Sequence, residues 1–210
     1  MGHTNTPINP MKFLALGDSY TIGEAVTHDE RWPVQLVSEL RKRNIHFANP
    51  DIIATTGWRT DELIRAISEQ RPPHDYDMVS LLIGVNNLYQ GRPIEQYAAE
   101  FEELLKTAIE LGNANKENVF VLSVPDYGFT PFGKEKQSDI SRDTDLFNEV
   151  NRHIALTYGI TYFNITDISR NGLKTPQLIA SDNLHPSGQM YSEWVRIIMA
   201  SQDPPIHTYL

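Results

Sequence analysis

The chain contains no cysteine in its 210 residues. That single absence excludes disulfides, thiolate nucleophiles and thiolate-bound zinc. Long apolar runs are missing too. The longest, about Met78 to Val85, falls far short of the ~20 residues that a membrane-spanning helix needs. Positive charge is scarce: Lys and Arg number 18 against 27 Asp and Glu, a formal charge of -9. Nucleic-acid backbones are gripped by basic patches, and anionic membranes repel an acidic surface, so neither is an expected partner. A small or neutral molecule is. The first ten residues, Met-Gly-His-Thr-Asn-Thr-Pro-Ile-Asn-Pro, have neither the basic start nor the apolar core of a signal peptide. The expected address is cytoplasmic, with a secreted or periplasmic one left open. Gly2 and Thr6 match the loose myristoylation pattern, and Asn164-Ile165-Thr166 matches the glycosylation pattern. Both are read as coincidence, the second because it falls in an apolar, strand-like run.

What remains is an ordinary globular composition, 40% hydrophobic and 21% charged. At ~150 residues per domain the length suits a single one. Residues 1–10 read as a flexible N-terminal tail and 11–210 as the domain. Lys12 to Leu16 is a short apolar run ending at Gly17, which suits a buried strand. Further strand candidates are Asp51 to Thr55, Asp77 to Ile83, Asn118 to Val124 and Ile160 to Ile165. Helical spacing lies between them. It appears at Trp32, Leu36, Val37 and Leu40, then at Leu63, Ile64 and Ile67 with Thr60 as the expected N-cap. Pro93 opens the best helix, whose apolar stripe runs from Ile94 through Phe101 to Ile109. Leu146, Phe147, Val150, Ile154 and Ala155 mark another, and Met190, Tyr191, Trp194, Val195 and Ile198 the last. The strands are apolar throughout rather than alternating, which implies burial on both faces. The expectation is an α/β fold: one three-layer domain with a five-stranded parallel sheet and helices on both faces.

Parallel sheets place their chemistry at the carboxyl ends of their strands. Gly17-Asp18-Ser19-Tyr20 follows the first strand and Thr56-Gly57-Trp58 the second. Gly84-Val85-Asn86-Asn87 follows the third, and Asp182-Asn183-Leu184-His185 lies before the last helix. Together these are an inventory for acyl transfer. A serine hydroxyl is a weak nucleophile until a base takes its proton, so Ser19 needs a partner. His185 is the candidate base. Asp182, three residues earlier, can accept from the other imidazole nitrogen. The oxyanion of a tetrahedral intermediate needs donors, and the N–H groups of Ser19 and Gly57 with the Asn86 amide are the candidates. Each such donor is worth ~3 kcal/mol in the transition state.

These residues resemble the SGNH (GDSL-type) hydrolases, whose four blocks centre on Ser, Gly, Asn and His. The blocks match here at Gly17-Asp18-Ser19, Gly57, Gly84-Val85-Asn86 and Asp182 to His185, and the likeness runs from Phe13 to about Trp194. Each block alone is weak; their order at successive strand ends is the signal. The resemblance implies a flavodoxin-like sheet and a serine esterase or lipase mechanism that needs neither cofactor nor metal. The Gly-x-Ser-x-Gly elbow of the α/β-hydrolases is absent around Ser19. One departure stands out: Asn87 occupies a position where the family commonly has Asp, and its role is open.

Plain alternatives exist for every block. Gly-Asp-Ser is turn-forming, Gly57 suits a turn, Asn86 and Asn87 suit a strand-end cap, and Asp182 to His185 suits the cap of the last helix. Asp75 with Asp77, and Asp143 with Asp145, read as solvated starts of elements rather than a cation site. The long loop Pro125 to Ser138 carries aromatics, and Tyr89, Tyr127 and Phe129 are the candidate substrate contacts. The expected substrate is a small or medium ester, an acetylated carbohydrate or a short-chain acyl ester. A lysophospholipid or acyl thioester is the alternative within the family, and a non-catalytic binding module the alternative outside it.

Overall fold

A computed structural model describes residues 9–203 and 205–209. The expected tail falls almost wholly outside them, as do Gly2 and Thr6. Strand β1 (Phe13–Gly17) leads into a single-turn helix α1 (Ser19–Ile22), then α2 (Trp32–Lys42), β2 (Asp51–Ala54) and α3 (Thr60–Gln70). Strand β3 (Met78–Leu82), α4 (Val85–Tyr89) and α5 (Ile94–Leu111) follow, and then β4 (Val119–Leu122) and α6 (Gln137–Thr157). Strand β5 (Thr161–Phe163), α7 (Thr166–Ser169), α8 (Gly188–Met199) and the short α9 (Ile206–Tyr209) complete the described chain.

The five strands form one sheet in the order β2-β1-β3-β4-β5, every pair parallel. Successive strand residues point to opposite faces, so one apolar strand feeds two cores. Phe13 and Ala15 join Trp32, Leu36 and Trp194 under α2 and α8. Leu14 and Leu16 join Leu63, Phe101 and Leu104 under α3 and α5. These are the three layers expected from uniformly apolar strands. Among the described residues no helix is long and apolar enough to cross a membrane.

Two local expectations need correction. Helix α6 begins at Gln137, well before the apolar spacing announces it. Its buried stripe runs through Ile140, Thr144, Phe147, Asn151 and Ala155, and the two polar members hide the period. Leu146 lies off that stripe and is 47% exposed. Thr60 is the first residue of α3, not its cap. Its N–H is taken by the Asn87 side chain at 3.1 Å, a partner 27 residues away that no local pattern reveals. The Pro125 to Ser138 loop gives way to α6 at Gln137 and is pinned by one carboxylate. Asp126, buried, accepts from the Gly128 N–H at 2.9 Å, the Ser141 hydroxyl at 2.7 Å and the Arg170 guanidinium at 3.0 Å. Asp75 and Asp77 both face Lys12, and Asp145 pairs with Arg170, so each carboxylate has a protein partner.

Candidate active site

The site lies where β1, β2 and β3 end. Gly17 closes β1 with no room for a side chain: a Cβ there would sit 2.6 Å from the Leu82 carbonyl oxygen, which is backbone and cannot yield. The chain therefore turns at once into α1. Asp18 caps that turn by accepting the Tyr20 N–H at 3.0 Å. Ser19 follows as the first helical residue. Burial pushes the Asp18 carboxyl up to about 7, against the pull of the Tyr20 N–H. Asp18 is thus a structural carboxyl beneath Ser19.

Gly57, at φ +88°, carries the chain through a left-handed turn after β2. Asn86 stands in the first turn of α4, and its amide donates to the Trp58 carbonyl at 2.9 Å. That bond ties the segment after β2 to α4, and among the described residues the second amide proton of Asn86 has no acceptor. Among the described residues, neither the Ser19 nor the Gly57 backbone N–H has a hydrogen-bond acceptor.

Asn87 has a structural role. It is buried; its Oδ1 accepts the Thr60 N–H, and its Nδ2 donates to the Thr60 hydroxyl at 2.7 Å. The Thr60 hydroxyl donates in turn to Glu100. Because Glu100 takes the hydroxyl proton, the group arriving from α4 must itself donate. An amide can do that and a carboxylate cannot.

The His185 loop is held from both sides. Ala180 N–H donates to the His185 carbonyl at 2.8 Å, and Ser187 N–H to the Leu178 carbonyl at 2.9 Å. Within the turn, Asp182 Oδ1 accepts the N–H groups of Leu184 and His185, while Oδ2 lies 2.6 Å from His185 Nδ1. Partial burial works against the Asp182 charge, but the bonds from the His185 ring and the two N–H groups prevail and hold its carboxyl below the usual range. Asp182 does not cap the last helix. Ser187 does, accepting the Met190 N–H at 3.3 Å. The Tyr20 ring meets the imidazole edge-on at 5.8 Å between centroids.

Ser19, Gly57, Asn86 and His185 line one cavity of about 220 Å³, with Tyr89 and Tyr127 on its wall. Asp182 stands behind the imidazole rather than in the cavity. Phe129 does not line it; Phe132 does. Tyr127–Phe129 is one tight 3-10 turn, at about 120° per residue, so those two side chains diverge. Phe132 comes back because the loop closes on itself at Gly133, where a Cβ would lie 2.0 Å from the Tyr127 carbonyl oxygen. Tyr20, Thr56, Val85 and Leu184 complete the lining; all four lie inside the sequence blocks, but nothing in the blocks singles them out as cavity residues. Among the described residues, no three His, Asp or Glu side chains gather closely enough to hold a metal ion.

The model of the GDSL-like lipase/acylhydrolase family matches residues 15–192. The chain belongs to that family. As a GDSL-like chain it also shares its fold with solved structures of low identity. A lipolytic protein of the G-D-S-L family from Veillonella parvula superposes with a TM-score of 0.66 at 17% identity, over 90% of this chain and 96% of the other. An acetylxylan esterase from Geobacillus stearothermophilus gives 0.63 at 18%, over 90% and 92%. A psychrotrophic esterase from Pseudoalteromonas, solved with monoethylphosphonate as inhibitor, gives 0.62 at 16%, over 90% and 95%. No curated protein matches the sequence. The flavodoxin-like parallel sheet implied by the four blocks is the fold of this GDSL-like protein.

Proposed function

We propose that this GDSL-like protein is a serine hydrolase that cleaves carboxylic esters through an acyl-enzyme, with Ser19 as nucleophile, His185 as base and Asp182 as its orienting partner. The observation that carries the reading is the 2.6 Å contact between Asp182 and His185 Nδ1, with His185 and Ser19 on one cavity. With Nδ1 committed to the carboxylate, Nε2 is the ring nitrogen left to take the Ser19 proton. Ser19 Oγ attacks the ester carbonyl as that proton moves to His185. The carbonyl oxygen becomes an oxyanion, met by the N–H groups of Ser19 and Gly57 and the free amide proton of Asn86. Collapse expels the alcohol, which takes the proton from His185. Water then repeats the sequence and frees the acid. Throughout, Asp182 holds the imidazole in one tautomer and stabilises the imidazolium.

The cavity supports a small or medium ester as substrate, either an acetylated carbohydrate or a short-chain acyl ester. Its volume of about 220 Å³ lies below the ~300–1,000 Å³ of ordinary ligand pockets. Among the described residues, no Asp, Glu, Lys or Arg side chain lines it. Burial holds the Tyr127 hydroxyl up at about 12, so that group is neutral as well. The test is the rate of Ser19→Ala on a short-chain aryl ester. Loss of about 10³-fold or more supports the reading, and full activity would remove it.

A further inference from the structure

We propose that Tyr89, Tyr127 and Phe132 form a wall that sets how long a linear, uncharged apolar arm of the ester can be. The proposal rests on the serine-hydrolase reading of the same cavity. The three rings line the catalytic cavity and also a second cavity of about 420 Å³ on their other side. They close on one another as a triangle, with centroids 6.1 Å apart for Tyr89 and Tyr127 and 6.4 Å for each pair involving Phe132. Those spacings are ordinary for touching aromatic rings, so the rings form a partition between the two spaces.

The partition is fixed at one corner and loose at the other two. Tyr127 is buried, and its carbonyl accepts the Thr130 hydroxyl at 2.7 Å. Tyr89 and Phe132 are 61% and 54% exposed. The Phe132 backbone is anchored by its N–H to the Asn183 carbonyl at 3.1 Å, in the same turn as Asp182 and His185. The loop that carries Phe132 is therefore tied by its backbone to the loop that carries the base. Beyond the three rings the second space offers Leu88 and Ile140 as apolar surface, beside the charged Glu135, Lys136, Asp139 and Asp143. A short arm ends against the rings. A longer one enters the second space only when a ring is removed, and each methylene it then buries strengthens productive binding by about fourfold.

The experiment measures kcat/KM for two ester series, one lengthened on the acyl side and one on the alcohol side, from four to ten carbons. The native protein, Phe132→Ala and Tyr89→Ala are compared, with Leu146→Ala on the exposed face of α6 as control. The quantity read is the ten-carbon to four-carbon ratio within each variant, so a general loss of rate cancels. The ratio is expected to rise about tenfold or more in at least one series for both ring deletions, and to stay native in Leu146→Ala. A second arm needs no catalysis: the Kd of butanamide and decanamide by calorimetry, where the same ratio shift is expected. Unchanged ratios in both arms overturn the wall. Retained activity in Ser19→Ala would instead overturn the serine reading, and the amide arm still decides the wall.

Discussion

Asp182 binds His185 twice: one carboxylate oxygen accepts the His185 backbone N–H at 2.9 Å, and the other lies 2.6 Å from the imidazole Nδ1. One side chain thus shapes the turn and orients the ring the turn presents. The two tasks separate by substitution. Asp182→Asn keeps an oxygen for the backbone N–H groups but presents the wrong partner to Nδ1. The expected result is a kcat loss of about 10²–10⁴-fold with a melting temperature close to native. Kinetics and thermal melting on the same preparation check it. A large loss of stability with a nearly native rate in the surviving protein would reverse the assignment.

Asn86 is held by Trp58 with one amide proton to spare. Asn86→Ala should lower kcat by about 10²–10³-fold while changing KM little, because the bond forms only in the transition state. Steady-state kinetics on a single ester separates the two parameters. A KM effect alone would place Asn86 in ground-state binding.

Asn87→Asp brings a carboxylate to the Thr60 hydroxyl, whose proton already goes to Glu100. The buried acceptors then face each other, and the expected cost is about 1–3 kcal/mol of stability. Adding Glu100→Gln supplies a donor on the other side and should recover most of it. Denaturant unfolding of the native protein, the two single variants and the double variant measures the coupling, and an additive double variant would show that the relay is not what selects the amide.

Asp18 gives a pH dependence of stability with a definite sign. The folded carboxyl sits at about 7 and the ordinary value is 3.8. Between them the folded protein holds a proton that the unfolded chain releases. The stability contributed by the neutral carboxyl is complete below the lower value and is lost as pH rises through the upper one. Asp18→Asn keeps an acceptor for the Tyr20 N–H and removes the titration. It should match the native protein near pH 4 and exceed it by roughly 2–4 kcal/mol at pH 8. Equal stability at both pH values would mean that the carboxyl is not shifted.

The layers of the fold were readable because the three inner strands β1, β3 and β4 are almost wholly apolar and buried, the pattern expected of strands covered on two faces. The strand ends could then be searched for chemistry, and Ser19, Gly57, Asn86 and His185 do meet at one cavity. What escaped depends on contacts distant in sequence or on polar groups in buried places. Thr144 and Asn151 interrupt the apolar period of α6, so its first turns carry no readable helical signal. The cap of α3 comes from Asn87, across the sheet end. The choice between Phe129 and Phe132 turned on a 3-10 turn and on the closure at Gly133, neither of which composition reveals.

The central claim is that Ser19 is an activated nucleophile. Its most direct test is covalent labelling by an excess of an organophosphonate ester, read by intact mass and by fragmentation of the modified peptide. One phosphonyl group per chain, located on Ser19 and absent when His185→Ala is treated in the same way, is the predicted result. An unlabelled chain, or a label on another residue, would contradict it.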